Sequence, residues 1–341
     1  MDAGLNQLAS PQTHKQTYLG DIISKCGKND KNVSARVKKG YGIVNPIVSI
    51  LQEVFFGKHF FTVAKILRDS LLINSVLLNS ETWYNLSKSN IDDLEKLDNI
   101  LLKNLFEVSS SVPTAFLQLE LGSLPIRFIL KTRRLLFFQY ILQEEENSLI
   151  HKFLISQINK PLAGDWWNSA LDDMEELNIN LTLHEIKVMS KNAFKAKVKN
   201  AASNAAFKWL NIVQANLSKV KDTKHEKFEM QKYLLNPLLS IDRTKFLFHL
   251  RSRMLFLRAN YRHLYNDDIC PLCCNLPGQR TWDTQEHLLL CKKLKCDTDV
   301  GQAEQRYDDI FSPDLEQQAR ITILLENKYK LRKKIESESQ Q

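Results

Sequence analysis

The stretch Ile91-Asp92-Asp93-Leu94-Glu95-Lys96-Leu97-Asp98-Asn99-Ile100-Leu101-Leu102-Lys103-Asn104-Leu105 decides the fold class. Its apolar residues recur every three or four positions, which is the period of an α-helix with one buried face. The same spacing returns at Leu247, Leu250, Met254 and Leu257. Only 10 Gly and 9 Pro interrupt the 341 residues, so breaks between helices are few. The sequence therefore predicts a mainly α, multi-helix protein.

Several further helices are expected on either side of this stretch. We predict helices near 33–56, 58–79, 88–107, 113–143, 184–215, 224–236, 241–262 and 314–335, with a kink or break at Pro46 in the first. One short strand is expected in Gln16-Thr17-Tyr18-Leu19-Gly20-Asp21-Ile22-Ile23, before a Lys/Gly/Asn turn. Pro161 and Gly164 indicate a boundary near residue 160.

Five of the six cysteines fall between Cys270 and Cys296. Within this segment Cys270 and Cys273 form a C-x2-C pair, and His287 and Cys291 follow one helical turn apart. This is the donor set and spacing of a closed, structural zinc site, so we predict Zn²⁺ bound by Cys270, Cys273, His287 and Cys291. The alternative is a group of buried thiols without metal. We leave Cys274 and Cys296 off the metal.

The composition is typical of a globular intracellular protein. With 43% hydrophobic residues over 341 positions, the chain can bury a core without disulfides, and Cys26 stands far from the other cysteines. We find neither a secretory leader nor a run of ~20 apolar residues that could span a membrane. We therefore expect a location in the nucleus or cytoplasm, no membrane partner and no small-molecule substrate.

The net charge of +8 comes from one segment, because residues 184–262 contain 17 Lys/Arg and only 5 Asp/Glu. Aromatic residues such as Phe194, Trp209 and Phe256 are interleaved with these cations. Lys/Arg repeats neutralise phosphates and aromatics can stack on bases, so the pattern favours RNA or DNA bound with little sequence preference. The alternatives are a solvated basic face or binding to an acidic protein or membrane surface. The candidate nucleic-acid contacts are Lys191, Lys195, Lys199, Arg251, Arg253, Arg258 and Arg262.

Four motifs, taken in order, resemble one family. They are Tyr18-Leu19-Gly20-Asp21-Ile22-Ile23, Leu78-Asn79-Ser80-Glu81-Thr82-Trp83-Tyr84, Leu119-Glu120-Leu121-Gly122-Ser123-Leu124-Pro125-Ile126, and the Cys-x2-Cys pair with Glu286-His287-Leu288-Leu289-x-Cys291. Together they resemble the C-terminal part of the reverse transcriptase of LINE-type (non-LTR) retrotransposons, over about residues 15–335.

The resemblance implies a particular organisation. It predicts the end of a polymerase palm at 1–30, a thumb-like helical region at 31–160, a basic helical connector at 161–264, a zinc-binding module at 265–300, and a C-terminal helix and tail at 301–341. The fold would be a thumb- or connector-like bundle with a short N-terminal strand remnant and a small zinc module.

The function implied is nucleic-acid binding by a C-terminal fragment. In this family the catalytic carboxylates precede Tyr-Leu-Gly, whereas only seventeen residues precede Tyr18 here. We therefore expect no catalytic residue and no RNA-directed DNA synthesis by this chain alone. The alternative is a zinc-stabilised helical module that binds proteins through its basic surface.

Other residues that could carry chemistry have simpler explanations. Tyr265-Asn266-Asp267-Asp268 matches the polymerase aromatic-x-Asp-Asp motif, but it runs directly into Cys270, so the two acids are expected to shape the turn at the metal site. Asp308 and Asp309 are expected to be surface acids or caps. The remaining histidines lack ligand spacing, and Trp166, Trp167 and Trp209 are predicted to lie in the core.

Overall fold

A computed structural model describes residues 15–18, 21–24, 29–54, 57–220, 223–265, 267–273, 281–294 and 306–338. It is mainly helical, which confirms the predicted fold class. The α-helices are α1 (Asp30–Glu53), α2 (Phe60–Leu67), α3 (Asn74–Val76), α4 (Lys88–Phe106), α5 (Thr114–Leu121), α6 (Ile126–Gln143), α7 (Leu149–Asn159), α8 (Trp166–Glu176), α9 (Leu183–Val188), α10 (Lys191–Ala215), α11 (Ile241–Arg251), α12 (Gln285–Leu290) and α13 (Leu315–Glu338).

Shorter elements lie between these helices. A π-helical segment, Arg68–Ile73, joins α2 to α3. The 3-10 turns are Gly57–His59, Ser80–Thr82, Lys232–Leu235, Arg258–Asn260, Arg262–Leu264 and Tyr307–Phe311. None of the helices in the described ranges is both long enough and apolar enough to cross a membrane.

The strand region near the N-terminus is a hairpin rather than one strand. Strands β1 (Lys15–Tyr18) and β2 (Asp21–Ser24) pair in an antiparallel register that places Lys15 opposite Ser24. The sequence predicted a single run over 16–23 because both strands contain β-branched or aromatic residues, so their composition does not separate them.

The chain folds into two compact units, each built from separate segments. The first unit contains Met1–Asn45, Ser70–Asp98 and Pro125–Ala205, and the second contains Pro46–Asp69, Asn99–Leu124 and Ala206–Gln341. The five ranges predicted from the sequence are each continuous, whereas each compact unit combines three separate segments of the chain. The five ranges therefore stay a prediction.

The first unit is centred on α6 and α8. Phe138 of α6 packs against Trp167 of α8 with ring centroids 5.4 Å apart, and Trp166 and Trp167 are each 7% exposed. Arg134, also on α6, is buried, and it donates to Asp173 Oδ2 at 2.6 Å and to the Trp83 carbonyl at 3.1 Å. The expected core position of these two tryptophans is confirmed.

The second unit has an aromatic core. Phe106 stacks on Phe61 at 5.1 Å and on Phe248 at 4.2 Å, and Phe248 also contacts Phe116 at 5.5 Å. Aromatic pairs at these separations add ~1 kcal/mol each beyond the area that they bury. Trp209 is only half-buried, and it packs against the buried cluster of Ala115, Leu119 and Leu210, so it lies at the edge of the core and not inside it.

Four predicted helices differ from the observed ones. The helix expected over 184–215 is two helices, because Met189 is extended (ψ 139°) and ends α9 before α10 begins at Lys191. The helix expected over 113–143 is two helices, because Gly122 caps α5 in the left-handed conformation (φ +59°) and Pro125 precedes α6. Gly122 also approaches the backbone of Glu229 so closely that a Cβ atom would lie 2.4 Å from its carbonyl carbon. The position therefore requires glycine for both conformation and space.

The helix predicted at 241–262 ends at Arg251. Arg253 adopts a left-handed conformation (φ +54°), and the Met254 amide donates to the His249 carbonyl at 2.9 Å, which closes the helix in a Schellman-type turn. Of the helix expected over 224–236, the structure has only a 3-10 turn, Lys232–Leu235. By contrast, α1 continues through Pro46 without a break. The sequence did not lead us to predict α7 or α8.

Candidate metal centre and basic surface

A short antiparallel contact positions the first two cysteines. Ile269 bridges to Trp282, the Cys270 amide donates to the Thr281 carbonyl at 2.9 Å, and the Asp283 amide donates to the Asp268 carbonyl at 2.8 Å. Cys270 and Cys273 therefore lie on a turn that follows one side of this contact.

The other two candidate ligands come from α12. The Thr284 hydroxyl caps the helix by accepting from the His287 amide at 3.1 Å. His287 lies on the helix and Cys291 directly follows it, so both side chains can face the Cys270–Cys273 turn.

Together these elements bring four donor atoms into one group. The ligand atoms of Cys270, Cys273, His287 and Cys291 lie within 4.8 Å of one another, and Cys273 Sγ is 3.3 Å from His287 Nε2. In a tetrahedral zinc site with Zn–S of ~2.3 Å, the sulfur atoms are ~3.8 Å apart. The group can therefore hold a metal ion with small adjustments. Cys26, Cys274 and Cys296 lie outside the described residues.

The thiols of this group have shifted proton affinities. A hydrogen bond from the Cys291 thiol lowers the pKa of Cys270 to about 3, and the same interaction raises the pKa of Cys291 above its usual value. Both side chains are buried, with 2% exposed. Closely packed thiols that share a proton in this way would lose it to a cation, which suits a thiolate metal site.

The candidate ligands lie in residues 267–273 and 281–294, which we name the metal-ligand segment. A buried carboxylate connects this segment to the rest of the second unit. Asp283 is fully buried, and it accepts from Arg332 Nη2 of α13 at 2.7 Å and from the Arg258 amide at 2.8 Å. Lys328, also of α13, donates to the Leu294 carbonyl at 2.8 Å. Sequence reasoning missed these partners, because 49 residues separate Asp283 from Arg332 and no motif marks either.

The aromatic-x-Asp-Asp match has the structural role expected of it. Asp267 Oδ1 accepts from the Ile269 amide at 3.2 Å, which shapes the turn before Cys270. A hydrogen bond from Arg258 lowers the pKa of Asp267, so the carboxylate stays ionised. Asp309 likewise caps a turn, since its Oδ2 accepts from the Arg306 amide at 2.9 Å.

The predicted basic residues fall into two classes. Lys191, Lys195 and Lys199 are exposed along α10, beside the buried face that contains Phe194 and Val198. None of the three lysines forms an ion pair with any residue that the structure describes. Since α10 contains no Asp or Glu, this face carries uncompensated positive charge.

The arginines, in contrast, are bound to carboxylates. Arg253 contacts Glu286 at 3.0 Å, Arg258 contacts Asp267 at 2.7 Å, and Arg262 contacts Asp268 at 3.2 Å. All three carboxylates lie in or next to the metal-ligand segment. These arginines therefore stabilise that segment, and only part of their charge remains for another partner.

Arg251 is a correction to the predicted set. It is 6% exposed, and its guanidinium donates to Glu120 Oε1 at 3.0 Å and to the Ile310 carbonyl at 3.4 Å. The rings of Tyr233 and Phe311 lie 4.8 and 4.7 Å from the guanidinium carbon. A cation enclosed in this way is not available to a phosphate on the surface.

The motif at residues 119–126 is a hub of the second unit. Glu120 is fully buried, and it binds Arg251 and, at 3.0 Å, His225 Nε2. In the same motif the Gly122 carbonyl accepts from Lys65, and the Leu124 carbonyl accepts from Arg68 at 2.9 Å. Sequence reasoning recognised the motif and missed its partners. A buried Glu inside an apolar run is the signal that could have indicated one.

Comparisons with known proteins give no match: no family model, no curated protein and no solved structure is similar to this chain.

Proposed function

We propose that the chain binds RNA or DNA with little sequence preference, and that the exposed lysine row of α10 is its principal phosphate-binding surface. The observation that carries the proposal is the placement of Lys191, Lys195 and Lys199 on one exposed face of a helix without acidic residues. Residues four apart share a helix face and lie ~6 Å apart along the axis. The row thus presents repeated ammonium groups to a phosphate backbone.

The sequence resemblance supports the same proposal. The four motifs are similar to the C-terminal part of a LINE-type reverse transcriptase, an enzyme that acts on nucleic acid. In this proposal the chain contributes binding and not nucleotidyl transfer.

The proposal includes Zn²⁺ as the metal of the Cys/His group. Three thiols and one imidazole are the donor set of structural zinc sites, and four protein ligands leave no position for water or substrate. The ion would then hold the Cys270–Cys273 turn against α12 and contribute to folding.

The salt dependence of oligonucleotide binding tests the α10 surface. A Lys191→Gln/Lys195→Gln/Lys199→Gln variant should bind RNA and DNA more weakly at low salt, because fewer counterions are released. The slope of log K against log salt should fall by up to about 3, near 1 for each lost phosphate contact. Fluorescence anisotropy with labelled oligonucleotides over a range of salt concentrations measures both quantities.

A matched control removes the same charge elsewhere in the first unit. Lys88, Lys96 and Lys152 are exposed, and the first two lie near Asp92 and Asp93. Their exchange for Gln should leave affinity and slope close to those of the wild type. If both triple variants weaken binding equally, the effect is one of net charge and α10 is not the surface. If the wild type binds no nucleic acid at low salt, the alternative of a protein-interaction module replaces the proposal.

A further inference from the structure

Four aromatic side chains lie in or beside the metal-ligand segment, and two of them are more than half exposed. We name Phe256, Tyr261, Tyr265 and Trp282 the aromatic platform. The Phe256 ring lies 5.0 Å from Tyr261 and 5.9 Å from Tyr265, yet Phe256 is 51% exposed and Trp282 is 55% exposed. Large aromatic rings left half in water, while their neighbours are packed, indicate a surface that another molecule covers.

Cations lie over the faces of these rings. The Arg262 guanidinium carbon is 5.3 Å from the centre of the Trp282 ring, and Arg258 is 5.4 Å from that of Tyr265. The Lys219 ammonium is 5.0 Å from that of Tyr261. Each of three platform rings therefore has its own cation, and Arg262 is 66% exposed despite its contact with Asp268.

The backbone holds Trp282 in a fixed position. Trp282 pairs with Ile269, one residue before the ligand Cys270. Its other neighbour, Asp283, is buried in an ion pair with Arg332. The backbone at Trp282 is thus anchored, so that little backbone entropy is lost when a ligand covers the ring.

We propose that the aromatic platform binds unpaired bases of a single-stranded nucleic acid, with Trp282 and Phe256 as stacking surfaces and Arg262 beside the phosphates. This inference rests on the proposed nucleic-acid binding and names the strand type that the second unit prefers. Bases of a single strand can leave their neighbours and stack on a protein ring, whereas bases inside a duplex cannot do so without unpairing. A protein partner also favours Trp, Tyr and Arg, but the largely exposed guanidinium of Arg262 beside the Trp282 ring favours a ligand that carries phosphates.

The test compares single-stranded and duplex ligands in the full-length protein. Trp282→Ala and Phe256→Ala are each titrated against an oligothymidylate of about 16 nucleotides, which covers the usual site size, and against a mixed-sequence duplex. Each variant should lose about fivefold or more in affinity for the single strand, because one base–aromatic stack is lost. Affinity for the duplex should stay within about twofold, since backbone contacts dominate there.

Two controls exclude loss of structure as the cause. Trp282→Tyr keeps an aromatic face and should retain most of the single-strand affinity. Leu290→Ala removes an exposed apolar side chain, 74% accessible, from the same segment and should change neither affinity. Metal content and circular dichroism of all variants should match the wild type.

The outcomes separate this inference from the proposed function. Suppose that the duplex binds with a steep salt slope and that Trp282→Ala and Phe256→Ala bind the single strand as the wild type does. The proposed role of the platform would then be refuted, and the proposed role of the α10 surface would stand. If the wild-type protein binds neither ligand, both proposals are refuted. If Trp282→Ala instead abolished self-association seen by sedimentation, with oligonucleotide binding unaltered, the platform would be a protein interface.

Discussion

Replacement of Glu120 by Gln should destabilise the second unit more than any exchange on the surface. The carboxylate is fully buried. It accepts hydrogen bonds from Arg251 Nη2 at 3.0 Å, Arg251 Nε at 3.3 Å and His225 Nε2 at 3.0 Å. Gln keeps the volume and removes the negative charge. The Arg251 guanidinium would then remain buried without a counter-charge.

Two independent lines give the size of the effect. Loss of one partner of a buried ion pair costs ~3–5 kcal/mol. Burial alone would raise the pKa of Glu120, but the charge of Arg251 and the hydrogen bond from His225 hold it at about 2, against an ordinary value of 4.5. That difference corresponds to ~3 kcal/mol of unfolding free energy. Both lines therefore predict a loss of ~3 kcal/mol.

The sign of the pH dependence follows from the lowered pKa. The contribution of Glu120 is fully present above the ordinary pKa of 4.5 and is lost as the pH falls toward about 2. The wild type should therefore lose this increment over that range on acidification. The Glu120→Gln variant should lack it, since Gln does not titrate.

Urea unfolding followed by fluorescence and circular dichroism measures the effect, and hydrogen exchange in α5 and α11 locates it. The matched control is Glu95→Gln in the first unit, which breaks the more exposed Arg127–Glu95 pair and should cost ~1 kcal/mol or less. A Glu120→Gln/Arg251→Met double variant should recover much of the loss, because no buried charge remains. Equal, small losses for Glu120→Gln and Glu95→Gln would refute the reasoning.

Three further changes test the metal-ligand segment and the α5 turn. Purified protein should contain about one zinc per chain, and a Cys273→Ser/His287→Ala variant should contain none; metal retained in that variant would exclude the site. Arg332→Met leaves the Asp283 carboxylate buried without its cation, so it should cost ~3 kcal/mol and loosen α12, measured by hydrogen exchange. Gly122→Ala should lower the unfolding midpoint, because a Cβ would meet the Glu229 backbone.

Periodicity predicted the fold class because a buried helix face is a local property. Phe194, Val198, Ala202, Ala206 and Leu210 of α10 are all fully buried, at the spacing of four that the sequence shows. The Cys/His group could also be predicted from the sequence, because its ligands are two pairs of residues close in sequence, and their chemistry allows few alternatives to a metal site.

Long-range ion pairs were not predictable in the same way. Glu120 and Arg251 are 131 residues apart, and neither lies in a pattern that indicates the other. The helix expected over 224–236 failed for a related reason. His225 turns inward to Glu120, and the Gln231 amide donates to the Glu120 carbonyl at 2.9 Å, so tertiary contacts override the local helical preference.

The positive charge of residues 184–262 therefore has two structural settings, which the sequence does not distinguish. The arginines are bound to carboxylates near the metal ligands or in the core, where a planar guanidinium makes several hydrogen bonds at once. The lysines of α10 are exposed and form no ion pair with the part of the chain that the structure describes. Neutralising Arg258 should consequently disturb the turn at Asp267 as well as any binding. Neutralising Lys195 should change affinity and salt dependence while the unfolding free energy stays the same, and that contrast separates the two settings by experiment.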